Sequence, residues 1–380
     1  FCALRSLVVI VQLGAITWRY SCGAGRHREA AVEVFFCAYF YRQSTALPFY
    51  LQCLGGADPS MSYLLKATLC AADEGRTPDD FLLWLLPRHS EYERTQLLAR
   101  ATLGCTPLNE IEYLPGSGEL SVLLEDHQED AVAGGWQIVW ERHDLMVICK
   151  PHQLPVSRTT RNLFGTLISE IRRHTPWRDA RLMHRLDAET AGLILIAKHE
   201  AADRRWKKRL NRLVGVKEYY ACVWGAPSWE HLEDFTPLSE RVDSEIRTRM
   251  YPVSDADSAV YRSVKQCHSE FDVIEKGGES ALIRCRIHTG RKHQIRAHLA
   301  AQGHPIVGDK IYSLDGSFYL KRLDAPLSAE DLRELGASHQ LLVASKLVLN
   351  LPGEQVTLTL PSALDHPTEV ELAREYFLCM

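Results

Sequence analysis

The stretch from His184 to Gly192 reads HRLDAETAG and places one carboxylate, Asp187, between an arginine and a glycine turn, just before an apolar run. A carboxylate in such a position has two ordinary uses. It acts as a nucleophile or base on a bound substrate, or it caps the turn that starts the next element. The residue alone does not decide between these uses, so the decision rests on the residues that accompany it.

A second informative segment lies later in the chain. It reads HTGRKHQIRAHL from His288 to Leu299 and continues as GHPIVGD from Gly303 to Asp309. Together with the first stretch, it resembles the second and third signature motifs of the RluA family of RNA pseudouridine synthases. Glu141 to Val156, with its Lys-Pro and Leu-Pro-Val steps, resembles the first motif. The resemblance therefore implies an enzyme that isomerises uridine in RNA.

This reaction needs few chemical groups. It cuts the bond from the sugar to N1 of the base, turns the base within the pocket and rejoins it through C5. The enzyme must supply an ionised carboxylate, an aromatic surface for the loose uracil, a cation that keeps the carboxylate charged, and exclusion of water. No atom is gained, so we predict that no cofactor is used.

The resemblance assigns three catalytic positions. Asp187 falls on the family's catalytic aspartate, and Arg296 falls on the arginine that pairs with it and favours its charged form. Tyr219, in a Lys-Glu-Tyr element, falls on the tyrosine that packs against the target base. Its neighbour Tyr220 points to the opposite face of the strand and is the alternative. Whether the carboxylate attacks the sugar or removes a sugar proton stays open.

Further residues of these motifs are predicted to bind RNA. Arg185 stands where the family inserts an arginine into the RNA stack as the base leaves, although a phosphate contact or a surface salt bridge is the alternative. Arg291 and Lys292 are expected to open a helix and form an anion site with its free amides. The other predicted RNA contacts are His184, Lys217 and Lys150.

Charge is unevenly distributed along the chain. The formal net charge is -4, yet Arg204 to Lys217 contains seven cations and no acid, whereas Glu119 to Asp130 is acidic. A local basic face on a mildly acidic protein suits RNA as the partner, although such a run also occurs on an ordinary solvated helix.

Histidines and cysteines offer a rival interpretation as metal ligands. His288, His293 and His298 are spaced five apart, a spacing that neither a helix nor a strand brings onto one face, and no His-Glu-x-x-His occurs. The 11 cysteines include no Cys-x-x-Cys pair. We predict no metal, reduced thiols and a cytoplasmic protein.

Three segments are predicted. Residues 1–60 contain no lysine and no methionine, and Met61 is the first methionine. This segment is therefore interpreted as a non-native upstream extension or as disordered. A targeting segment and a genuine domain are the alternatives. Residues 61–135 are expected to form a small N-terminal module of unknown role, and residues 136–380 the catalytic domain.

Strand-like runs bounded by turn residues alternate with short amphipathic helices in the catalytic region. Strands are expected at 145–149, 193–197, 218–224, 271–275, 281–287, 347–349 and 356–360, and helices at 163–173, 202–213 and 291–301. The fold class is therefore α+β, with a mixed, mainly antiparallel central sheet flanked by helices and loops. The resemblance implies the same fold.

Three classes of function stay in view. The favoured one is an RNA pseudouridine synthase acting on 23S ribosomal RNA, with transfer RNA, or both RNAs, as the alternative substrate. The others are a non-catalytic RNA-binding ribosome assembly factor and a hydrolase that uses the histidines. Residues 227–265 and the N-terminal module are expected to select the RNA. We expect RNA as the partner, a monomer and no membrane association.

Overall fold

The computed structural model of the chain describes residues 8–12, 15–19, 62–125, 127–254, 258–364 and 367–378. The chain divides into two compact units, one of residues 1–63 and 123–127 and the other of residues 64–122 and 128–380. Apart from two short strands, the prediction for residues 1–60 falls outside the described residues. Within the described ranges, none of the helices combines the length and the apolar character that a membrane crossing requires.

The described residues form the following strands: β1 (Val8–Gln12), β2 (Ala15–Arg19), β3 (Ser62–Leu69), β4 (Ala101–Leu103), β5 (Thr106–Pro107), β6 (Gly118–Glu125), β7 (Gln137–Arg142), β8 (Leu145–Lys150), β9 (Arg181–Leu182), β10 (Ala191–Ala197), β11 (Val214–Trp224), β12 (His231–Asp234), β13 (Leu238–Ser239), β14 (Tyr251–Pro252), β15 (Ser269–Lys276), β16 (Ser280–Ile287), β17 (Leu342–Leu351) and β18 (Glu354–Thr359). The α-helices are α1 (Pro78–Leu85), α2 (Glu91–Leu98), α3 (Leu167–His174), α4 (Glu200–Lys207), α5 (Leu210–Leu213), α6 (Gln294–Ala301), α7 (Ser317–Asp324), α8 (Ala329–Leu335) and α9 (Glu369–Leu378).

A ten-stranded sheet forms the centre of the second unit. Its order is β12-β15-β16-β11-β17-β10-β8-β7, with β18 added to β17 and β9 added to β10. The β10–β17 pair is parallel, and the other pairs described in this sheet are antiparallel. The prediction of an α+β fold with a mixed, mainly antiparallel central sheet is confirmed.

Both faces of this sheet are covered by apolar side chains. Because side chains alternate along a strand, Ile194 of β10 joins one core cluster and Leu195 joins the other. Leu167 of α3 packs into the first cluster, and Trp206 of α4 packs into the second. Burial on both faces explains why β10 reads as a continuous apolar run in the sequence.

Two helices differ from the predicted ones. The run predicted as one helix over 202–213 forms α4 and α5, because Arg209 between them has φ -117° and ψ 16°, which is not helical. The helix predicted from residue 291 begins only at Gln294, after His293 in a left-handed conformation. The amide of Arg291 is already bonded to the Gln294 side chain at 3.1 Å. The Arg291 amide is therefore not free and does not open the helix, and the binding of RNA phosphates by Arg291 and Lys292 stays a prediction.

Residues 64–122 contact the rest of the second unit through two arginines, one in the last turn of α3 and one just after it. Arg178 donates to the carbonyl of Thr68 at 2.7 Å and pairs with the buried carboxylate of Asp73, and its guanidinium lies 5.0 Å from the ring centroid of Trp84. Arg173 donates to the carbonyl of Lys66 at 2.9 Å. The separate folding of residues 61–135 stays a prediction.

Gly308 lies where two backbone segments approach closely. Its φ is +79°, and a Cβ atom at this position would lie 1.9 Å from the carbonyl oxygen of His339. Gly353 has a similar φ of +83° with nothing within 4 Å of its Cβ position. Both glycines therefore have a left-handed backbone conformation that favours glycine. Only at Gly308 would a side chain also collide with another segment.

We predict that Gly308→Ala lowers the free energy of unfolding by about 3 kcal/mol or more, because backbone strain and a clash with rigid backbone add together. Gly353→Ala carries the strain alone, about 1 kcal/mol. Urea denaturation of both variants measures the difference. Equal losses in the two variants would contradict the steric argument.

Candidate active site

The first of the three predicted catalytic side chains, Asp187, lies in the loop between β9 and β10. The amide of Thr190 donates to the carbonyl of Asp187 at 3.1 Å, which closes the turn. The Asp187 side chain is 29% exposed. Its carboxylate is therefore half-buried and still open on one side to an incoming substrate.

Buried contacts anchor this loop immediately after Asp187. Lys150 donates to the carbonyl of Ala188 at 2.9 Å, and His152 donates through Nδ1 to the carbonyl of Glu189 at 2.7 Å. Lys310 donates to both carboxylate oxygens of Glu189 at 3.0 Å. These contacts hold the backbone that carries the Asp187 carboxylate, so its position does not depend on Asp187 alone.

Arg296 of α6 bridges two carboxylates. Its Nη1 donates to Oδ2 of Asp187 at 2.6 Å. Its Nε and Nη2 donate to the two oxygens of Asp309 at 2.7 and 2.9 Å. Asp309 is fully buried, and Arg296 is 5% exposed. The bidentate pair therefore fixes the guanidinium, and the remaining Nη1 group faces Asp187.

Charge around Asp187 keeps its carboxyl ionised. Burial alone would raise the pKa of Asp187, but His293 and Arg296 outweigh burial and lower that pKa to about 2. Nε2 of His293 lies 3.9 Å from Oδ2 of Asp187. Burial and the nearby Arg296 lower the pKa of His293 to about 4, so this imidazole is neutral at pH 7. Arg296 is therefore the positive charge beside Asp187 at neutral pH.

A hydrogen-bonded tyrosine orients the His293 ring. The hydroxyl of Tyr312 accepts from the amide of Met250 at 2.9 Å and lies 3.1 Å from Nδ1 of His293. Since the hydroxyl already accepts there, its own proton is available for Nδ1, which leaves the Nε2 proton facing Asp187. The sequence motifs alone assign no catalytic role to His293, Tyr312 or Asp309. The sequence signal that could have identified Asp309 as a site residue is its place in the GHPIVGD segment.

Tyr219 of β11 is buried and lies within electrostatic range of the Asp187 carboxylate. Burial, followed by the Asp187 carboxylate, raises the pKa of Tyr219, so its hydroxyl stays protonated. Tyr219 belongs to one core cluster and Tyr220 to the other, which confirms that the neighbours face opposite sides of the sheet. Among the described residues, none forms a hydrogen bond with the Tyr219 hydroxyl.

Lys150 does not fit its predicted role in binding RNA. Its side chain is fully buried, and its ammonium also donates to the carbonyls of Pro151 and Leu154, each at 2.9 Å. Burial lowers the pKa of Lys150 to about 7. A contact of Lys150 with RNA is not possible in this structure, because the three N–H donors of its ammonium bind backbone carbonyls and no exposed surface is left for a phosphate.

The remaining predicted RNA contacts differ in exposure and pairing. Arg185 is exposed, and it has no acidic partner in the described ranges. His184 is half-buried, and its Nε2 accepts from the amide of Leu195 at 3.1 Å. Burial and then Lys217 lower the pKa of His184 to about 4. His184 is therefore a neutral residue that positions the loop, whereas Arg185 is an available cation.

Lys217 and Arg291 meet at Gly290. The Lys217 ammonium lies 3.4 Å from the position that a Cβ atom of residue 290 would occupy. Arg291 is exposed and donates to the carbonyl of Gln266 at 3.0 Å. No acid pairs with either cation within the described part of the chain. Lys292, by contrast, pairs with Glu240 at 2.8 Å.

The basic run over 204–217 is partly neutralised. Acidic side chains lie 3.2 to 3.7 Å from the charged groups of Arg204, Arg205 and Lys207. For the other cations of the run, the described residues provide no acidic partner; these are Lys208, Arg209, Arg212 and Lys217. The run therefore keeps an excess of positive charge, but a smaller one than the sequence suggests.

Comparison with known proteins identifies the family of this chain. The family described as RNA pseudouridylate synthase matches residues 144–301. Ribosomal large subunit pseudouridine synthase D of Nitrosomonas europaea is 31% identical over 192 residues, which are 50% of this chain and 52% of that protein. The protein of the same name from Yersinia pestis is 30% identical over 258 residues, 65% of this chain and 76% of that protein.

A third relative is the dual-specificity RNA pseudouridine synthase RluA of Escherichia coli O157:H7. It is 32% identical over 181 residues, which are 47% of this chain and 78% of that protein. The matched part thus spans about half of the Nitrosomonas protein and more than two thirds of the other two. The chain belongs to the RluA-like family of RNA pseudouridine synthases.

The buried pair of Arg296 and Asp309 leads to a stability prediction. Asp309→Asn should lower the free energy of unfolding by about 3 kcal/mol, because a buried bidentate ion pair loses one charge. Asp243→Asn is the matched control, since Asp243 forms a bidentate pair with Arg241 at the surface and should change stability little. Urea denaturation at pH 7 compares them, and equal effects would contradict the argument.

The effect of Asp309→Asn on the free energy of unfolding should depend on pH. The pKa of Asp309 is lowered from its usual value of 3.8, since Arg296 outweighs the opposing effect of burial. A lowered pKa in the folded state stabilises the protein above the unfolded-state pKa, and this stabilisation is lost as the pH falls through the folded-state value. The difference in the free energy of unfolding between wild type and Asp309→Asn should therefore become smaller below about pH 4.

Proposed function

We propose that this protein isomerises uridine to pseudouridine in structured RNA, with Asp187 as the catalytic carboxylate. The observation that carries the proposal is the pairing of the half-buried Asp187 with the buried Arg296 at 2.6 Å, within electrostatic range of Tyr219. A lone turn aspartate would need neither a dedicated guanidinium nor a pKa lowered to about 2.

The reaction requires the carboxylate to be charged before the base moves. Cleavage of the bond from C1′ to N1 leaves electron density on the uracil, and joining through C5 then displaces the hydrogen at C5 while N1 becomes protonated. An ionised Asp187 serves either as a nucleophile at the sugar carbon or as a base that removes a sugar proton. Both routes remain compatible with this site.

Tyr219 is proposed to pack on the uracil ring. Its raised pKa keeps the hydroxyl protonated, which favours packing and hydrogen-bond donation over a role as a resting phenolate base. Arg185 is proposed to enter the RNA stack when the uridine leaves, because it is an exposed cation two residues before Asp187. Lys217 and Arg291 are proposed to hold RNA phosphates near Gly290.

For the substrate we propose 23S ribosomal RNA. The names of two relatives specify the large ribosomal subunit, while a third is named dual-specificity. Transfer RNA, alone or together with ribosomal RNA, is therefore the alternative. We further propose that the enzyme acts as a monomer in the cytoplasm, where its RNA substrate is found.

We predict that Asp187→Asn lowers pseudouridine formation by at least about a thousandfold, because the neutral amide cannot act as nucleophile or base. RNA affinity should change only a few-fold, since Arg296 keeps its pair with Asp309. Release of labelled hydrogen from C5 of uridine in total RNA measures turnover, and filter binding measures affinity. Asp243→Asn serves as the surface control and should keep turnover.

Retained turnover in Asp187→Asn would remove the catalytic assignment. A wild-type protein that binds RNA without releasing the label would instead favour the alternative of a ribosome assembly factor.

The choice of substrate has its own test. Pseudouridines mapped in ribosomal and transfer RNA from cells with and without the gene should differ at one or a few uridines of 23S RNA, because a shaped pocket and its surrounding loops select few sites. Re-expression of the wild type should restore them, and Asp187→Asn should not. Loss of pseudouridine in transfer RNA only would replace the proposed substrate with the alternative.

A further inference from the structure

Three aromatic rings form a column apart from the Asp187 site. The ring centroids of Phe235 and His268 lie 4.3 Å apart with 22° between their planes, and those of His268 and His288 lie 4.0 Å apart with 18° between planes. Phe235 ends the column and is 57% exposed. One face of its ring is covered by His268, so its exposed part includes the opposite face.

The exposed phenylalanine is held by a buried polar network. The carboxylate of Asp234 accepts from the amide of Thr236 at 2.8 Å, and Nε2 of His298 donates to the carbonyl of Thr236 at 2.9 Å. Asp234 and His298 are buried. A large apolar side chain is thus presented to solvent on a backbone that is fixed on both sides, which reduces the entropic cost of using it for binding.

Hydrogen bonds also fix the two histidines beneath it. Nε2 of His268 donates to Glu233 at 2.7 Å, and Nε2 of His288 donates to Glu270 at 2.6 Å. The ring planes are therefore determined by carboxylates as well as by stacking. The column is a rigid surface that ends in a phenylalanine.

A metal ion is the competing explanation for this cluster. Ligand atoms of His268, Glu270 and His288 all lie within 4.8 Å of one another. An imidazole nitrogen directs its lone pair within the ring plane, however, and two stacked rings with 18° between their planes direct these lone pairs almost parallel. One ion cannot lie in both planes at bonding distance unless a ring turns, so stacking accounts for the arrangement better.

The surroundings of the column point to RNA as its ligand. His288 is followed within three residues by Gly290 and Arg291, where Arg291 and Lys217 lie near each other and neither has an acidic partner among the described residues. His268 is joined to the helix that carries Arg296, because its carbonyl accepts from Gln294 at 3.0 Å. Bases that leave an RNA stack are bound by aromatic faces next to phosphate-binding cations.

We propose that Phe235, supported by His268 and His288, stacks an unpaired base of the substrate RNA other than the target uridine. The proposal rests on RNA being the substrate, and it gives residues 227–265 a specific means of selecting the RNA. An unpaired base that follows or precedes the target by a suitable distance would be recognised, whereas a fully paired strand would not.

The test compares two probes with Asp187→Asn protein, in which turnover is expected to be lost. One probe is a short single-stranded oligoadenylate, and the other is an abasic oligoribonucleotide of equal length and equal charge. In the Asp187→Asn background we expect the base-bearing probe to bind about five- to a hundredfold more tightly by fluorescence anisotropy, as stacking of a base on an aromatic side chain provides. Adding Phe235→Leu should remove most of this preference, and Phe235→Trp should keep it.

Controls separate the possible explanations. Tyr113→Leu removes an aromatic side chain of equal exposure, 58%, in another region and should keep the preference. The dependence of affinity on salt should stay the same in Phe235→Leu, since no charge is removed. An equal affinity of the two probes, or a preference that Phe235→Leu leaves intact or that a chelator abolishes, would overturn the proposal. Turnover by the wild-type protein is assayed separately, so failure of the stacking proposal is distinguishable from failure of the proposed catalysis.

Discussion

The bridge formed by one buried guanidinium between two carboxylates is the interaction on which this site depends. Arg296 is held on one side by the fully buried Asp309 and reaches Asp187 with its remaining Nη1 group. Without Asp309, the buried arginine would have only the half-buried Asp187 to compensate its charge, and Asp187 without Arg296 would tend to take up a proton. The pair of Arg296 with Asp309 therefore makes the pair of Arg296 with Asp187 possible.

The protein holds Asp187 by fixing the backbone around it. Lys150 binds a carbonyl of the adjoining loop, and Lys310 binds the side chain of Glu189. Both lysines are buried and use their charge on neighbouring protein groups. Positioning by charged hydrogen bonds costs desolvation, but it gives the loop a defined geometry while the Asp187 side chain stays 29% exposed.

In the proposed function, cations and aromatic surface are divided between chemistry and recognition. Arg296 and Tyr219 are buried beside Asp187, whereas Arg185, Lys217 and Arg291 lack acidic partners among the described residues and remain available to phosphates. The formal net charge of -4 hides this difference, because many cations elsewhere are paired with acids. For RNA binding, the local distribution matters more than the sum.

The sequence alone determined the family, the α+β class and the identity of the Asp187–Arg296 pair, because ordered motifs and strand periodicity are local properties of the chain. Tertiary structure decided which charged residues are exposed: Lys150 is buried although it looks like an RNA contact. It also joined Asp309 to Arg296 and stacked Phe235 on His268. Burial, pairing and stacking depend on segments distant in sequence that fold together, and no local pattern records them.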